Sequence, residues 1–362
     1  MNSKNNFLIY GSYGYTGNLI AELSLKQGLR PVLGGRNEER LAQQAQRLNL
    51  DYKVFDLESI EQAQSILQEF IAVIHCAGPF IHTYNHMVRA CLAAHTHYID
   101  ITGEVMVIEQ LSALNDEAKA AGIMVLPGAG FDVVPSDCLA HYLKSQLPDA
   151  VQLVLAIGSI QKGDGPNAGI SRGTARTMLD GISDGAMIRE QGQLKNVPLN
   201  WNTRMVDFGG DKSLLCAAVS WGDLASAWWS TGIPHIETYM ALPKKMIRLN
   251  KWINPIKALF KWQLVKRYIE HKIQQLPEGP SMAERHNSVA KIYGEVSNGS
   301  GATFKALMTT PNGYELTSLS VLTIVHHILA GNAPIGFHTP STAYTEDLIM
   351  NIPGVNRIDL TN

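Results

Sequence analysis

A chain of 362 residues, 45% hydrophobic and 17% charged, can fill two cores and is too apolar for bulk disorder. Its formal net charge of −2 excludes the broad basic field that nucleic-acid binding requires. The four cysteines (Cys76, Cys91, Cys138, Cys216) show no CxxC pair and no metal-ligand spacing, so they read as free thiols of a reducing compartment, with no metal expected.

The opening MNSKNNFLIYG runs straight into an apolar strand and does not look like a signal peptide. No stretch reaches the roughly 18 uninterrupted apolar residues of a membrane span. The expectation is a cytoplasmic protein, soluble or membrane-associated. Phe7–Tyr10 predicts the first strand, ending in glycine, and residues 15–26 the first helix. Residues 31–34 are the second strand. Asn37 reads as an N-cap, with Glu38 and Glu39 near the positive end of the next helix and Leu41, Ala45 and Leu48 spaced as its apolar face. Residues 52–57 predict a third strand, Ser59 with Gln62 a capping box, and 71–77, 98–102 and 123–126 three further strands. Repeated strand–helix units of this kind predict an α/β doubly wound parallel sheet covered on both faces.

Beyond residue 150 the pattern changes. Residues 151–160 read as a long strand, 163–173 as a glycine-rich loop and 174–191 as a helix. Residues 291–296 and 303–309 form a hairpin-like pair around Ser297-Asn298-Gly299-Ser300-Gly301, and 316–329 is a strongly apolar helix that could fold back on the first domain. The expected architecture is a Rossmann domain over 1–135 and a second α+β domain with a mixed or antiparallel sheet over 136–335. A C-terminal segment, 336–362, is expected to return to the Rossmann domain.

The loop Gly11-Ser12-Tyr13-Gly14-Tyr15-Thr16-Gly17 lies between the first strand and the first helix, the context in which a glycine pattern points to a dinucleotide. The glycines admit a tight turn and a close pyrophosphate, and the helix start offers free N–H groups. About 20 residues on, where an acid would take a ribose 2′-hydroxyl, the chain has Gly34-Gly35-Arg36-Asn37. Arg36 can meet a 2′-phosphate bidentately and Asn37 can add a donor, which favours NADP(H). Asp56 is placed either to contact the adenine or as a solvated strand end. Ala77, Gly78 and Pro79 follow the fourth strand at the ligand-binding edge, and Cys76 reads as a small buried hydrophobe.

These segments resemble the saccharopine dehydrogenase-like oxidoreductases, in the branch called trans-acting enoyl reductases. The likeness continues through Tyr98-Ile99-Asp100-Ile101-Thr102-Gly103-Glu104, Gly130-Phe131-Asp132-Val133-Val134-Pro135-Ser136-Asp137, Arg172-Gly173-Thr174, Gly279-Pro280-Ser281 with Glu284-Arg285, and Gly336-Phe337-His338-Thr339-Pro340. The resemblance implies a nicotinamide-dependent redox reaction on a small-molecule substrate and a homodimer. Phe131-Asp132-Val133-Val134-Pro135 departs from the Leu-Asp-Pro-Gly type of turn of the saccharopine reductases themselves, which puts lysine-pathway chemistry in doubt.

Hydride transfer asks the protein for positioning and a proton handler. Asp132 is the candidate, or else an anchor for the helix from Pro135. Ser136 and Glu104 are further candidates, Glu104 having a helix-cap alternative. Arg172, Thr174 and Arg176 could hold an anion or be solvated. A Tyr-x-x-x-Lys pair is absent from the helix after the fifth strand. Tyr268 and Lys272 have that spacing only by coincidence. Residues 244–272 carry nine Lys or Arg and one acid, Glu270, among aromatics, with Pro255 as an interruption. They fit either a lid on an apolar cleft or a membrane-surface helix. His326 and His327 read as packing residues. The leading reading is an NADP(H)-dependent reductase of an apolar or acyl-type substrate. Imine reduction and a non-catalytic, membrane-associated NADP(H) sensor are the alternatives.

Overall fold

The computed structural model describes residues 6–161, 172, 175, 176, 185–209, 213–255 and 262–360. The chain divides into two compact units. The first comprises Met1–Val134 with Tyr314–Tyr344, and the second Pro135–Gly313 with Thr345–Asn362.

The first unit is built on β1 (Phe7–Tyr10), α1 (Tyr15–Lys26), β2 (Val32–Gly35), α2 (Glu38–Leu48), β3 (Tyr52–Val54) and α3 (Ile60–Leu67). It continues through β4 (Ala72–His75), α4 (Tyr84–Ala94), β5 (His97–Asp100), α5 (Val105–Ser112), α6 (Asn115–Ala121) and β6 (Met124–Leu126). The strand order is β3-β2-β1-β4-β5-β6, all parallel, the doubly wound order of a Rossmann sheet. Strands β1, β2 and β4 are buried at every position, which is why they read as continuous apolar runs. Strand β3 is shorter than expected. Phe55 turns inward and its N–H bonds to Gly35 O, while Asp56 accepts from Glu58 N–H and ends the strand in a side-chain turn.

The second unit starts with α7 (Val134–Gln146) and β7 (Ala150–Gln161), then β8 (Ala186–Glu190), β9 (Gln193–Val197), β10 (Thr203–Val206), β11 (Leu214–Ala218) and α8 (Asp223–Thr231). Next come β12 (His235–Ala241), α9 (Lys244–Ile253), α10 (Gln263–Gln274), α11 (Met282–His286), β13 (Ser288–Asn298) and β14 (Thr303–Pro311). After α12 (Gly313–Leu329), β15 (Gly336–Phe337) and α13 (Pro340–Tyr344) of the first unit, β16 (Asn356–Asp359) closes the chain. The second sheet runs β10-β11-β12-β7-β13-β14-β16, with β8 paired to β12 and β9 paired to β8. It is mixed, since β12 and β7 are parallel and their other pairings antiparallel. Helix α7 packs on it through Leu139 and Leu143, which occupy the space above Gly294.

Three expectations change. Residues 186–190, expected in a helix, are strand β8. Gln191 (φ 51°) and Gly192 (φ 75°) close a two-residue hairpin to β9, a turn that needs positive φ at both positions. Of the rest of that expected helix, only residues 175, 176 and 185 are described; the loop 163–173 is described only at Arg172, and Thr174 not at all. At the C-terminal end the return to the first unit comes earlier than residue 336. Helix α12 already belongs there, and Gly336–Phe337 extends the parallel sheet beside β6. Residues 345–362 belong instead to the second unit, because β16 pairs antiparallel with β14.

Candidate functional site

The loop after β1 is shaped by backbone demands that glycine alone meets. Gly11 has φ +78°, and a Cβ there would stand 3.0 Å from both Cβ and N of Ala77. Gly14 caps α1 and its N–H bonds to Gly11 O at 3.0 Å. At Gly17 a Cβ would lie 2.6 Å from Gly11 O, so helix and loop touch backbone to backbone. Tyr15 and Thr16 open α1, with the Tyr15 ring set edge-on to Tyr314 at 5.1 Å. The loop is tied to α2 by Gln44, whose amide donates to Ser12 O and whose Oε1 accepts from Ser12 Oγ, each at 2.8 Å.

At the end of β2 the Tyr13 ring lies over Gly35, where a Cβ would be 2.6 Å from the ring. The Arg40 guanidinium covers the same ring at 4.8 Å and donates to Tyr13 O at 3.2 Å. Asn37 caps α2, its Oδ1 accepting from Arg40 N–H at 2.9 Å. Arg36 is exposed and makes no side-chain hydrogen bond or ion pair among the described residues. The corner thus holds two guanidinium groups, with no acid in Gly34-Gly35-Arg36-Asn37 and with exposed Glu38 and Glu39 in the helix turn between Asn37 and Arg40. Arg40 escaped sequence reasoning because its role depends on the Tyr13 ring, not on motif spacing. Asp56 is exposed and spends Oδ1 on its own turn.

Across the sheet edge, Ala77, the first residue of the turn Ala77–Pro79, abuts Gly11. This turn is braced twice. Thr83 Oγ1 donates to Ala77 O at 2.8 Å and sits 2.9 Å from Nε2 of buried His75. Glu104 accepts from Phe80 N–H at 2.7 Å and Ile81 N–H at 2.8 Å. Glu104, a candidate proton handler or helix cap from the sequence, thus has both carboxylate oxygens engaged with backbone donors and braces this turn. Burial lowers the His75 pKa to about 3, so its ring is neutral. Burial and nearby Asp100 push the pKa of the half-buried Cys76 thiol well up, which disfavours the thiolate.

Two loops interlock beyond β5 and β6. Buried Asp100 accepts from Tyr98 Oη at 2.6 Å and from the N–H groups of Thr102 and Gly128 at 2.9 Å each. Its pKa rises to about 6 because burial outweighs those hydrogen bonds. Gly103 makes room for Asp132, and Phe131 N–H is held by Thr317 Oγ1 at 3.0 Å. Asp132 keeps partial exposure, while desolvation lifts its pKa to about 6. Ser136 is fully buried in the first turn of α7. In the second unit Arg172, read from the sequence either as an anion holder or as a solvated helix start, pairs with Glu278 at 3.1 Å. Tyr268 is exposed there with the Lys272 ammonium 5.8 Å from its ring, a surface pair. His327 stacks on Tyr344 at 4.4 Å, a packing contact.

A parallel sheet in this order, with a glycine loop tight against the fourth-strand turn, defines a Rossmann dinucleotide-binding protein. Residues 7–126 match the family described as Saccharopine dehydrogenase NADP binding domain. The chain is 24% identical to a saccharopine dehydrogenase-like oxidoreductase of Rattus norvegicus, over 52% of this chain and 49% of that protein. It is 28% identical to a Mycobacterium tuberculosis protein provisionally named a trans-acting enoyl reductase, over 49% of this chain and 44% of that one. The match spans about half the length of these relatives. The fold superimposes on apo saccharopine dehydrogenase (L-Glu forming) from Saccharomyces cerevisiae with a TM-score of 0.67 at 12% identity, covering 99% of this chain and 100% of that one. The chain is thus similar to the saccharopine dehydrogenase-like oxidoreductases, and residues 7–126 match that family's NADP-binding domain.

Proposed function

We propose that this protein is an NADP(H)-dependent oxidoreductase that transfers hydride to or from an apolar or acyl-type substrate. The observation that carries the reading is the corner at the end of β2, where Arg36 and the Tyr13-stacked Arg40 stand and where Arg36-Asn37, not an acid, directly follows the strand, Glu38 and Glu39 coming only in the first turn of α2. A ribose 2′-phosphate is a dianion that two guanidinium groups neutralise, and an acid there would repel it. The residues fit the group. Gly11, Gly14 and Gly17 leave a cradle that any Cβ would fill, and the start of α1 supplies N–H donors for a pyrophosphate.

When bound, the nicotinamide supplies or accepts the hydride. Thr83 and Glu104 brace the Ala77–Pro79 turn and the residues after it by hydrogen bonds, which helps fix the floor of that site. Asp132, with a pKa near 6, handles the proton at its carboxyl oxygen, giving it for reduction and taking it for oxidation. The acyl-type substrate is favoured by the likeness to the relative named a trans-acting enoyl reductase. We include a cytoplasmic homodimer in the proposal, to be checked by light scattering and cell fractionation.

The test is incubation with NADPH and a panel of enoyl thioesters, aldehydes and imines, following loss of reduced-cofactor absorbance. Turnover of an enoyl thioester meets the expectation. Tight NADPH binding with silence across the panel would overturn it in favour of a nucleotide sensor, and turnover of imines alone would replace the substrate class.

A further inference from the structure

The second unit carries two short helices that are fastened on one side and bare on the other. Helix α9 is anchored by buried Ile247, whose carbonyl accepts from Asn200 at 3.1 Å. Asn254 pairs in both directions with the Leu199 backbone, at 2.8 and 3.0 Å. Its outer side shows Met246 and Leu249, 48% and 58% exposed and three residues apart, so they form one apolar row. Lys245 and Arg248, also three apart, form a basic row beside it. Helix α10 repeats the arrangement. Ile273 is buried, while Trp262 at its start and Tyr268 within it are 63% and 65% exposed. Arg267 and Lys272 are exposed beside them, and Glu270 is the one acid of the two helices.

A large exposed apolar side chain costs free energy in water, and four here sit among cations that lack ion-pair partners in a chain whose net charge is −2. Among the described residues none of Lys244, Lys245, Arg248, Arg267 and Lys272 has an ion-pair partner. An acidic protein groove would match the charge but would not need Trp and Tyr at the rim of a basic row. An interfacial layer needs both, because Trp and Tyr settle at the headgroup level and lysine stems reach past apolar surface to phosphate. No helix among the described residues is long and apolar enough to cross a membrane, so the arrangement is one that lies on a surface.

We infer that α9 and α10 dock the second unit on an anionic phospholipid surface. This stands apart from the nucleotide reading, since none of its residues belongs to the first unit. The probe is co-sedimentation of the full chain with vesicles of phosphatidylcholine, with and without phosphatidylserine. Binding is expected to need phosphatidylserine, to fall steeply with salt, and to drop roughly fivefold for each charge removed. The quadruple variant Lys245→Glu, Arg248→Glu, Arg267→Glu, Lys272→Glu should stay in the supernatant while its melting point still rises with NADPH. The Lys245→Arg, Lys272→Arg variant should bind as the parent does. Trp262→Phe should lose most of the fluorescence quenching by brominated lipid. Equal, salt-independent binding to both vesicles overturns the inference, as does no binding to either. A duplex nucleic acid that binds where vesicles do not overturns it in favour of a polyanion site. An oligomer that the quadruple variant abolishes, without vesicle binding, assigns the face to a second copy of the chain.

Discussion

Gly103 lies directly beneath Asp132: a Cβ on Gly103 would stand 2.8 Å from the Asp132 Cβ and 2.9 Å from its Oδ2. The absence of a side chain at one loop therefore sets the position of a carboxylate on another. Gly103→Ala should displace Asp132 and destabilise the fold by about 1–3 kcal/mol, the usual cost of overpacking. Turnover should fall further than the melting point suggests, with NADPH affinity nearly unchanged. A variant with parental kcat would show that Asp132 need not sit where it does.

The paired guanidinium corner makes a binding prediction independent of turnover. Arg40→Ala and Arg36→Ala should each weaken 2′,5′-ADP by roughly tenfold or more, the value of a charge-assisted hydrogen bond. Neither should change the affinity for 5′-AMP, which lacks the 2′-phosphate. Arg36→Asp should be worse than Arg36→Ala because it adds repulsion. Calorimetric titration measures all of these, and equal losses for the two nucleotides would remove the 2′-phosphate assignment.

Asp132 has a definite pH signature. With its pKa near 6, the protonated form needed for reduction grows as pH falls through that value, and the base needed for oxidation grows as pH rises. The reductive kcat should therefore climb from pH 8 to pH 6 and the oxidative kcat should do the opposite. Asp132→Asn should lower both by about 10²–10⁴-fold and erase the pH limb. A limb that survives in the Asn variant assigns the proton to another group.

His75 predicts an acid weakness. Its folded pKa, about 3, lies below the ordinary 6.5, so the unfolded chain binds the proton more readily between those values. The stability it contributes is present above pH 6.5 and is lost as pH falls toward 3. At pH 5 the loss should reach about 2 kcal/mol. His75→Gln, which cannot titrate, should flatten the urea midpoint between pH 7 and 5 relative to the parent. Parallel curves for the two proteins would refute this.

The Rossmann order, the Gly11–Gly17 loop and the Asn37 cap were legible from the sequence because each answers a local demand: a strand period, a helix start, a backbone that admits no Cβ. Gly17 is needed by Gly11 and Ser12, its close neighbours in the chain. The hairpin at Gln191-Gly192 was legible in principle, since a glycine follows a polar residue there. It was missed because the helix expected from the preceding residues was carried through it.

The rest depends on residues far apart in the chain. Glu104 reaches Phe80 across 24 positions, Asp100 reaches Gly128 across 28, and Thr317 reaches Phe131 across 186. No local pattern encodes such partners, because burial and hydrogen-bond satisfaction are settled only once the sheet has brought them together. By itself the sequence determined a dinucleotide-binding domain and the placing of Arg36, not an acid, directly after the second strand. Only the tertiary structure set Arg40 on Tyr13 over Gly35, joined Glu104 to the Phe80 and Ile81 backbone, and divided the C-terminal segment between two units.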